Sequence, residues 1–161
     1  MSPLRGETAP PRGLTGTPAR PADRRRADVL RVFETARNAW LATGGKEGAH
    51  LVPLGCAWDG ARLVMATKEN SRTVRNLRED PRARLAFGSP TDVVLVDGDV
   101  ELLDAGDVPP ESRAALDALP IDPRKVPGRV CLLLTLRRVQ AWRGLEEMPD
   151  RTLMADGRWR A

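Results

Sequence analysis

Apolar residues recur along the chain in short runs that glycine, proline and charged residues separate. Six of these runs predict β-strands, over residues 38–43, 49–58, 61–67, 82–88, 92–103 and 129–142. Three further segments place apolar residues at helical spacing and predict helices, over residues 22–36, 71–80 and 111–119. A mainly β chain with six strands and short helices favours a small closed barrel, because closure leaves no strand edge unpaired.

Three local signals refine this arrangement. Asp59-Gly60 predicts a two-residue hairpin between the second and third strands. Gly98 inside the fifth strand predicts a bulge or a close approach of another backbone segment. Pro53 has no N–H to donate, so it marks an irregular or edge position in the second strand.

The third strand leads into a loop and a helix that carry several cations. Lys68 follows the apolar run, Ser71 is a favourable helix N-cap, and Arg72 comes next. A helix N-terminus offers unpaired N–H groups and a positive dipole end, which together with these side chains favour a phosphate. The same pattern is typical of an ordinary capped surface helix, so the residues alone leave both interpretations open. Arg78, later in the helix, is not expected to contribute.

The order of these segments resembles a known family. The chain reads T-K-E-N-S-R and then V-R-N-L-R-E-D-P-R-A-R-L-A-F. The hairpin H-L-V-P-L-G-C-A-W-D-G-A-R-L-V-M-A-T precedes it, and the strand V-V-L-V-D-G-D-V-E-L follows. Over about residues 29 to 144 this is similar to the pyridoxamine 5′-phosphate oxidase-like split β-barrel superfamily. The resemblance implies a homodimeric, FMN-binding six-stranded split β-barrel with two cofactor sites between the subunits.

The resemblance assigns the cofactor phosphate to the end of the third strand and the loop after it, at Thr67, Lys68, Ser71 and Arg72. It also includes Asn76, one turn further along the helix, with a less defined role. The cofactor that the resemblance implies is flavin mononucleotide (FMN) or the deazaflavin coenzyme F-420. Both stay open, although the actinobacterial character of the sequence and the charge of Arg75 favour F-420, whose anionic tail needs further cations.

The flavin or deazaflavin ring is assigned by the same resemblance to the second strand, at His50, Leu51, Val52 and Pro53. Two departures from true pyridoxamine 5′-phosphate oxidases stand out. Thr73 replaces a phosphate-binding lysine, and Gly55 replaces a basic residue at the end of the ring-facing strand. Synthesis of pyridoxal phosphate is therefore not expected, and the chain looks more like the actinobacterial flavin and deazaflavin oxidoreductases.

No acid or base stands out as a catalytic group, and no metal site is predicted. In this class of enzyme the cofactor carries the redox chemistry, while the protein binds and orients it. The expected function is hydride transfer from F-420 or FMN to an unidentified small molecule. The alternative is a non-enzymatic flavin, deazaflavin or haem binding protein on the same barrel.

Composition and charge argue against nucleic acid and membranes as binding partners. The net charge is +4, and residues 1–26 carry all of this excess with six arginines and two acidic residues. A basic face for nucleic acid is therefore not expected on the barrel. No run is long enough to span a membrane, and Cys56 and Cys131 lie in apolar strands, so we expect a cytoplasmic protein with two free thiols. The predicted division is a flexible tail (1–21), the barrel domain (22–145) and a C-terminal tail (146–161).

Overall fold

The computed structural model of the protein describes residues 17–160. In this range three α-helices occur, namely α1 (Ala22–Thr35), α2 (Arg72–Glu79) and α3 (Pro110–Asp117). The same range contains eight strands: β1 (Asn38–Thr43), β2 (His50–Trp58), β3 (Arg62–Lys68), β4 (Arg82–Ser89), β5 (Asp92–Leu103), β6 (Arg129–Trp142), β7 (Thr152–Ala155) and β8 (Arg158–Trp159).

The strands form one antiparallel sheet that closes on itself. Their order is β3-β2-β1-β4-β5-β6-β7-β8, and β3 also pairs with β6. Strands β1 to β6 therefore make a closed six-stranded barrel, which confirms the predicted fold class. Strands β7 and β8 extend the sheet beyond β6.

The barrel interior is filled by alternate side chains of its strands. Leu41, Leu85 and Val96 are fully buried there. Helix α1 covers one end of the barrel with Val29 and Phe33, each 1% exposed. The sequence pattern of α1 therefore positions an apolar lid over the core.

A second apolar cluster lies outside the barrel, under α3. Val64 of β3 and Leu133 of β6 point outwards and contact Leu116 of α3, which is 0% exposed. Residues 63–65 of β3 and 130–134 of β6 are buried on both faces for this reason, and both stretches read as continuous apolar runs rather than as alternating ones.

Gly98 confirms the predicted irregularity in β5. The register between β5 and β6 shifts between Asp97 and Gly98. A Cβ atom on Gly98 would lie 2.3 Å from the carbonyl oxygen of Thr135, so only glycine fits. The bulge lets the long strands β5 and β6 bend around the barrel.

Residues 146–160, interpreted from the sequence as part of a C-terminal tail, contain β7 and β8. Leu153 and Met154 are buried, 3% and 4% exposed, and belong to the barrel core. The strands have only four and two residues, so no alternating pattern marks them in the sequence. Ala161 lies outside the described residues.

The predicted N-terminal tail is described only in part, because residues 1–16 lie outside the described range. Arg20, which belongs to that tail, contacts the folded domain. Its Nε donates to Oε1 of Glu147 at 2.8 Å, and its Nη1 donates to Asp28 at 2.8 Å. Within residues 17–160, no helix has the length and apolar character needed to cross a membrane.

Candidate functional site

The barrel opens between β2 and β3. Within residues 17–160 the pairing of these strands is limited to Cys56, Ala57 and Trp58 with Met65, Val64 and Leu63. The same register would set Gly55 against Ala66 and Pro53 against Lys68, but the strands have separated by then. Pro53 cannot donate a hydrogen bond across this seam, in agreement with its interpretation as an edge residue. We call this opening the split.

A cavity of about 160 Å³ lies at the split. Its lining comes from β2, β3, the start of β6 and the segment after α3, namely Pro53, Leu54, Gly55, Ala66, Leu119, Pro120, Ile121 and Arg129. A Cβ atom on Gly55 would lie 2.4 Å from Cδ of Pro120. Gly55 therefore makes room for Pro120.

A larger cavity of about 520 Å³ lies beside the end of β3. Its lining is Lys68, Glu69, Asn70 and Arg78 on one side, and Val126, Pro127, Gly128 and Arg129 on the other. The N–H of Glu69 donates to the carbonyl of Gly128 at 2.8 Å and joins the two sides. Arg129 lines this cavity as well as the one at the split, so the two cavities share one cationic side chain.

Helix α2 begins where the sequence predicts. Ser71 is its N-cap, and the Ser71 Oγ accepts a hydrogen bond from the N–H of Val74 at 3.3 Å. Val74 and Leu77 are buried, which fixes the helix against the barrel. The unpaired N–H groups of the first turn thus follow directly on the loop that lines the larger cavity.

The Arg72 side chain contacts Glu47 in the β1–β2 loop and does not line the larger cavity. Its Nη2 donates to the carbonyl of Glu47 at 2.9 Å, and its Nε lies 3.3 Å from the Glu47 carboxylate. Arg72 and Arg78 lie about 120° apart around the helix axis, since each residue turns an α-helix by about 100°. Arg72 therefore contacts the β1–β2 loop, whereas Arg78 lines the larger cavity. The phosphate role of Arg72 stays a prediction.

Asn76 is 5% exposed, and its Nδ2 donates to Oγ1 of Thr43 at 3.1 Å. A Cβ atom on Gly45 would lie 2.2 Å from its Oδ1. The structure thus shows Asn76 joining α2 to the end of β1, with its amide packed under the β1–β2 loop.

The predicted ring-binding residues are spread along β2. Pro53 lines the cavity at the split, whereas His50, Leu51 and Val52 lie outside both cavities described above. Leu51 is 60% exposed on the outer face, and Val52 packs against the core. Thr67 pairs with Val130 and also lies outside both cavities. Of the nine assigned residues, the structure therefore brings Pro53 and Lys68 to the two sides of the split.

Arg129 is the residue that the sequence did not single out. Its Cα pairs with that of Lys68 in the β3–β6 ladder. Its Nε is buried and finds no hydrogen-bond partner among residues 17–160. The sequence shows Arg129 only as the first residue of the last strand. Its position beside Lys68 depends on the pairing of two strands that are distant in the chain.

The two thiols are not suited to nucleophilic chemistry. Burial raises the pKa of Cys56 to about 12 and that of Cys131 to about 11. Both stay protonated at neutral pH, and the thiolate is the reactive form.

Comparisons with known proteins agree with this geometry. A family model described as Pyridoxamine 5′-phosphate oxidase matches residues 27–143. That span contains all six barrel strands, α2 and both sides of the split. A search of curated proteins gave no match.

Solved structures show the same fold. An F420 reductase has 20% sequence identity and a TM-score of 0.54, and the match covers 68% of this chain and 93% of that one. A FAD-binding protein from Mesorhizobium loti has 21% identity and a TM-score of 0.57, with 71% and 89% covered. A heme binding protein from Mycobacterium smegmatis has 22% identity and a TM-score of 0.59, with 78% and 56% covered. At these identities the likeness is one of fold.

Proposed function

Because the chain belongs to the pyridoxamine 5′-phosphate oxidase family, we propose that it binds FMN or coenzyme F-420 at the split and transfers hydride between that cofactor and a small molecule. The observation that carries the proposal is the arrangement of the split. Pro53 of the predicted ring strand and Arg129 line the cavity at the split, and Arg129 and Lys68 line the larger cavity next to it. A planar ring that carries a phosphate on a flexible chain needs both features close together.

The ring side of the site is formed by backbone. The first part of β2 pairs with β1 but not with β3, so one edge of this strand is available to the heteroatoms of a ring. When bound, the flavin or deazaflavin supplies the hydride chemistry. The contribution of the protein is to hold the ring against β2 and to exclude water with apolar residues such as Leu119 and Ile121.

The phosphate side is formed by charge and by the start of α2. Lys68 is the last residue of β3, Ser71 is the N-cap of α2, and Arg72 is the first residue of that helix. The helix dipole and the unpaired N–H groups favour an anion at this end. Arg72 can reach a phosphate here only by exchanging its contact with Glu47, whose carboxylate is itself exposed.

The size of the cavity at the split supports a site shared between two subunits. Ligand sites for small molecules usually enclose about 300–1,000 Å³, whereas this cavity encloses about 160 Å³. We propose a homodimer in which the second copy completes the site. The outer face near the split carries Trp40, 49% exposed, and Leu51, 60% exposed, and an apolar face of this kind favours a partner. Light scattering tests this proposal, and a monomer at micromolar concentration would contradict it.

The small volume of the cavity at the split also fits the alternative function, a binding protein without enzymatic activity. A site that closes over the ring leaves no space for a substrate, and such a protein would bind a flavin, a deazaflavin or haem without turnover. The heme binding protein among the structural relatives has the same fold, although the match covers only 56% of that chain.

Titration with both cofactors and haem, followed by turnover assays, separates these functions. We expect FMN or F-420 to bind with a change in its absorption or fluorescence, and the reduced cofactor on the protein to be oxidised by at least one unsaturated acceptor from a panel. Tight binding without oxidation by any acceptor would support the binding protein. Failure to bind either cofactor would contradict the proposed function.

A further inference from the structure

The cavity of about 520 Å³ beside the end of β3 is lined by more cationic than acidic side chains. Its lining contains three cationic side chains, Lys68, Arg78 and Arg129, and one acidic side chain, Glu69. Glu69 lies 3.7 Å from Arg78, and both are largely exposed, so this ion pair is weak. The lining therefore keeps an excess of positive charge.

Two of these cations have no acidic partner in the folded domain. In the part of the chain from residue 17 to 160, neither Lys68 nor Arg129 forms an ion pair, whereas Arg84 on the neighbouring face of the barrel lies 2.6 Å from Asp97. Nε of Arg129 is moreover buried without a hydrogen-bond partner among these residues. The Arg129 side chain as a whole is half-buried, but a buried N–H donor that lacks an acceptor lowers stability, so an arginine in this position favours an acceptor from a bound molecule.

The position of Arg129 is fixed by the backbone. It lies in the β3–β6 ladder opposite Lys68, and the hydrogen bond from Glu69 to Gly128 holds the preceding turn. Gly128 has a φ of 78°, a conformation that favours glycine, and it brings the chain around into β6. Arg129 and Lys68 are therefore held side by side rather than on mobile loops.

We propose that Arg129, together with Lys68, binds an anionic group, a phosphate or a carboxylate, in this cavity. If the proposed function is correct, that group belongs to the cofactor, and Arg129 is a cofactor-binding residue in addition to those assigned from the family. A guanidinium suits either group, because its N–H donors match two oxygens of a phosphate or carboxylate.

The test compares the wild type with Arg129→Gln and Lys68→Gln. Arg138→Gln is the control, because it removes the same charge from an exposed position on the same strand, away from the cavity. Three probes are titrated at constant ionic strength, namely inorganic phosphate, FMN and F-420. The two cofactors are followed by fluorescence, and phosphate is followed through the melting temperature.

We expect Arg129→Gln to weaken binding of at least one probe by about tenfold or more, since a charge-assisted hydrogen bond is lost, while Arg138→Gln binds like the wild type. Weaker binding of both cofactors would place the shared phosphate in the cavity. Weaker binding of F-420 alone would place the anionic tail there. Equal binding of every probe by the wild type and Arg129→Gln, or no binding of any probe, would overturn the proposal.

The design separates this proposal from the function on which it rests. If neither cofactor binds the wild type, the proposed function fails, and the phosphate titration alone decides whether the cavity binds anions. Melting temperatures without any probe show whether the variants fold. Should Arg129→Gln fail to fold, Arg129→Lys tests the same residue, because lysine keeps the charge but lacks the paired N–H donors of the guanidinium and should bind the same probe more weakly than the wild type does; equal binding would overturn the proposal.

Discussion

At the end of the barrel that α1 covers, Arg20 is enclosed by acidic groups, whereas at the split Lys68 and Arg129 face a cavity. Arg20 donates to both carboxylate oxygens of Glu147 and to Asp28, and Glu147 also accepts from the N–H of Arg143 at 2.8 Å. We call the cluster of Arg20, Asp28, Arg143 and Glu147 the clasp. Its charges are paired within the protein, whereas Lys68 and Arg129 form no ion pair among residues 17–160.

The comparison distinguishes an arginine that stabilises the fold, Arg20, from one that is proposed to bind a ligand, Arg129. The side chains of Arg20 and Glu147 are 13% and 5% exposed, so their charges are removed from water and stabilise the fold only while they stay paired. Lys68 and Arg129 have no such acidic partner in the part of the chain from residue 17 to 160, which suits them to an anionic ligand. Changes in the clasp should lower stability, and changes at the split should lower affinity.

The largest effect is expected from breaking the clasp. Glu147→Ala leaves Arg20 without its main acceptor, and we expect the free energy of unfolding to fall by about 3 kcal/mol. Urea denaturation measures this directly. Asp80→Ala is the control, because it removes an exposed ion pair with Arg82 and should change stability little. An equal loss in both variants would contradict the distinction between buried and exposed pairs.

The pH dependence of the unfolding free energy tests whether the charge of the Glu147 carboxylate stabilises the clasp. The hydrogen bond from Arg20 lowers the pKa of Glu147 from 4.5 to about 2. A carboxyl whose folded pKa is lowered adds stability above its unfolded pKa and loses this contribution as the pH falls through its folded pKa. The difference in unfolding free energy between the wild type and Glu147→Ala should therefore shrink from pH 4.5 towards pH 2. A constant difference over this range would mean that the carboxylate charge is not what stabilises the clasp.

Arg72 shares features of the clasp and of the cations at the split, because it pairs with Glu47 and is also predicted to bind the cofactor phosphate. Arg72→Ala should lower the free energy of unfolding by about 1 kcal/mol, through loss of its contacts with the β1–β2 loop. If Arg72 also binds the phosphate, cofactor affinity should fall about tenfold to a hundredfold. Chemical denaturation and cofactor titration of one variant give both values. Lower stability with unchanged affinity would make Arg72 a purely structural residue.

The smallest effect is expected at the N-terminus. Residues 1–16 are rich in proline, glycine and arginine, and their removal should leave stability and affinity unchanged. A deletion that extends through residue 20 removes Arg20 and should lower the melting temperature like a clasp variant. Calorimetry of the two truncated proteins distinguishes them, and equal melting temperatures would show that Arg20 does not stabilise the domain.

The sequence predicts the barrel strands because each carries its own local pattern. All six appear in the structure with similar bounds, and Ser71 and Gly98 have the predicted roles as helix cap and bulge. Strands β7 and β8 are too short for such a pattern. Their burial depends on pairing with β6, which is a tertiary contact.

The candidate site is harder to predict for the same reason. Lys68 and Ser71 follow from the local pattern at the start of a helix. The position of Arg129 beside Lys68, the contact of Arg72 with Glu47 and the ion pair of Arg20 with Glu147 join segments that are distant in the chain. A single sequence shows the residue types, and the fold decides which of them meet.

The most direct test of the account is the dissociation constant of FMN and F-420 for three proteins, the wild type, Lys68→Gln/Arg129→Gln and Glu147→Ala, measured together with their unfolding free energies. We predict that the double variant binds the preferred cofactor at least about a hundredfold more weakly, with nearly unchanged stability in the absence of cofactor. Glu147→Ala should show the reverse, a lower stability with nearly unchanged affinity. Cofactor affinity that is unchanged in the double variant would contradict the claim that the cations at the split bind the cofactor.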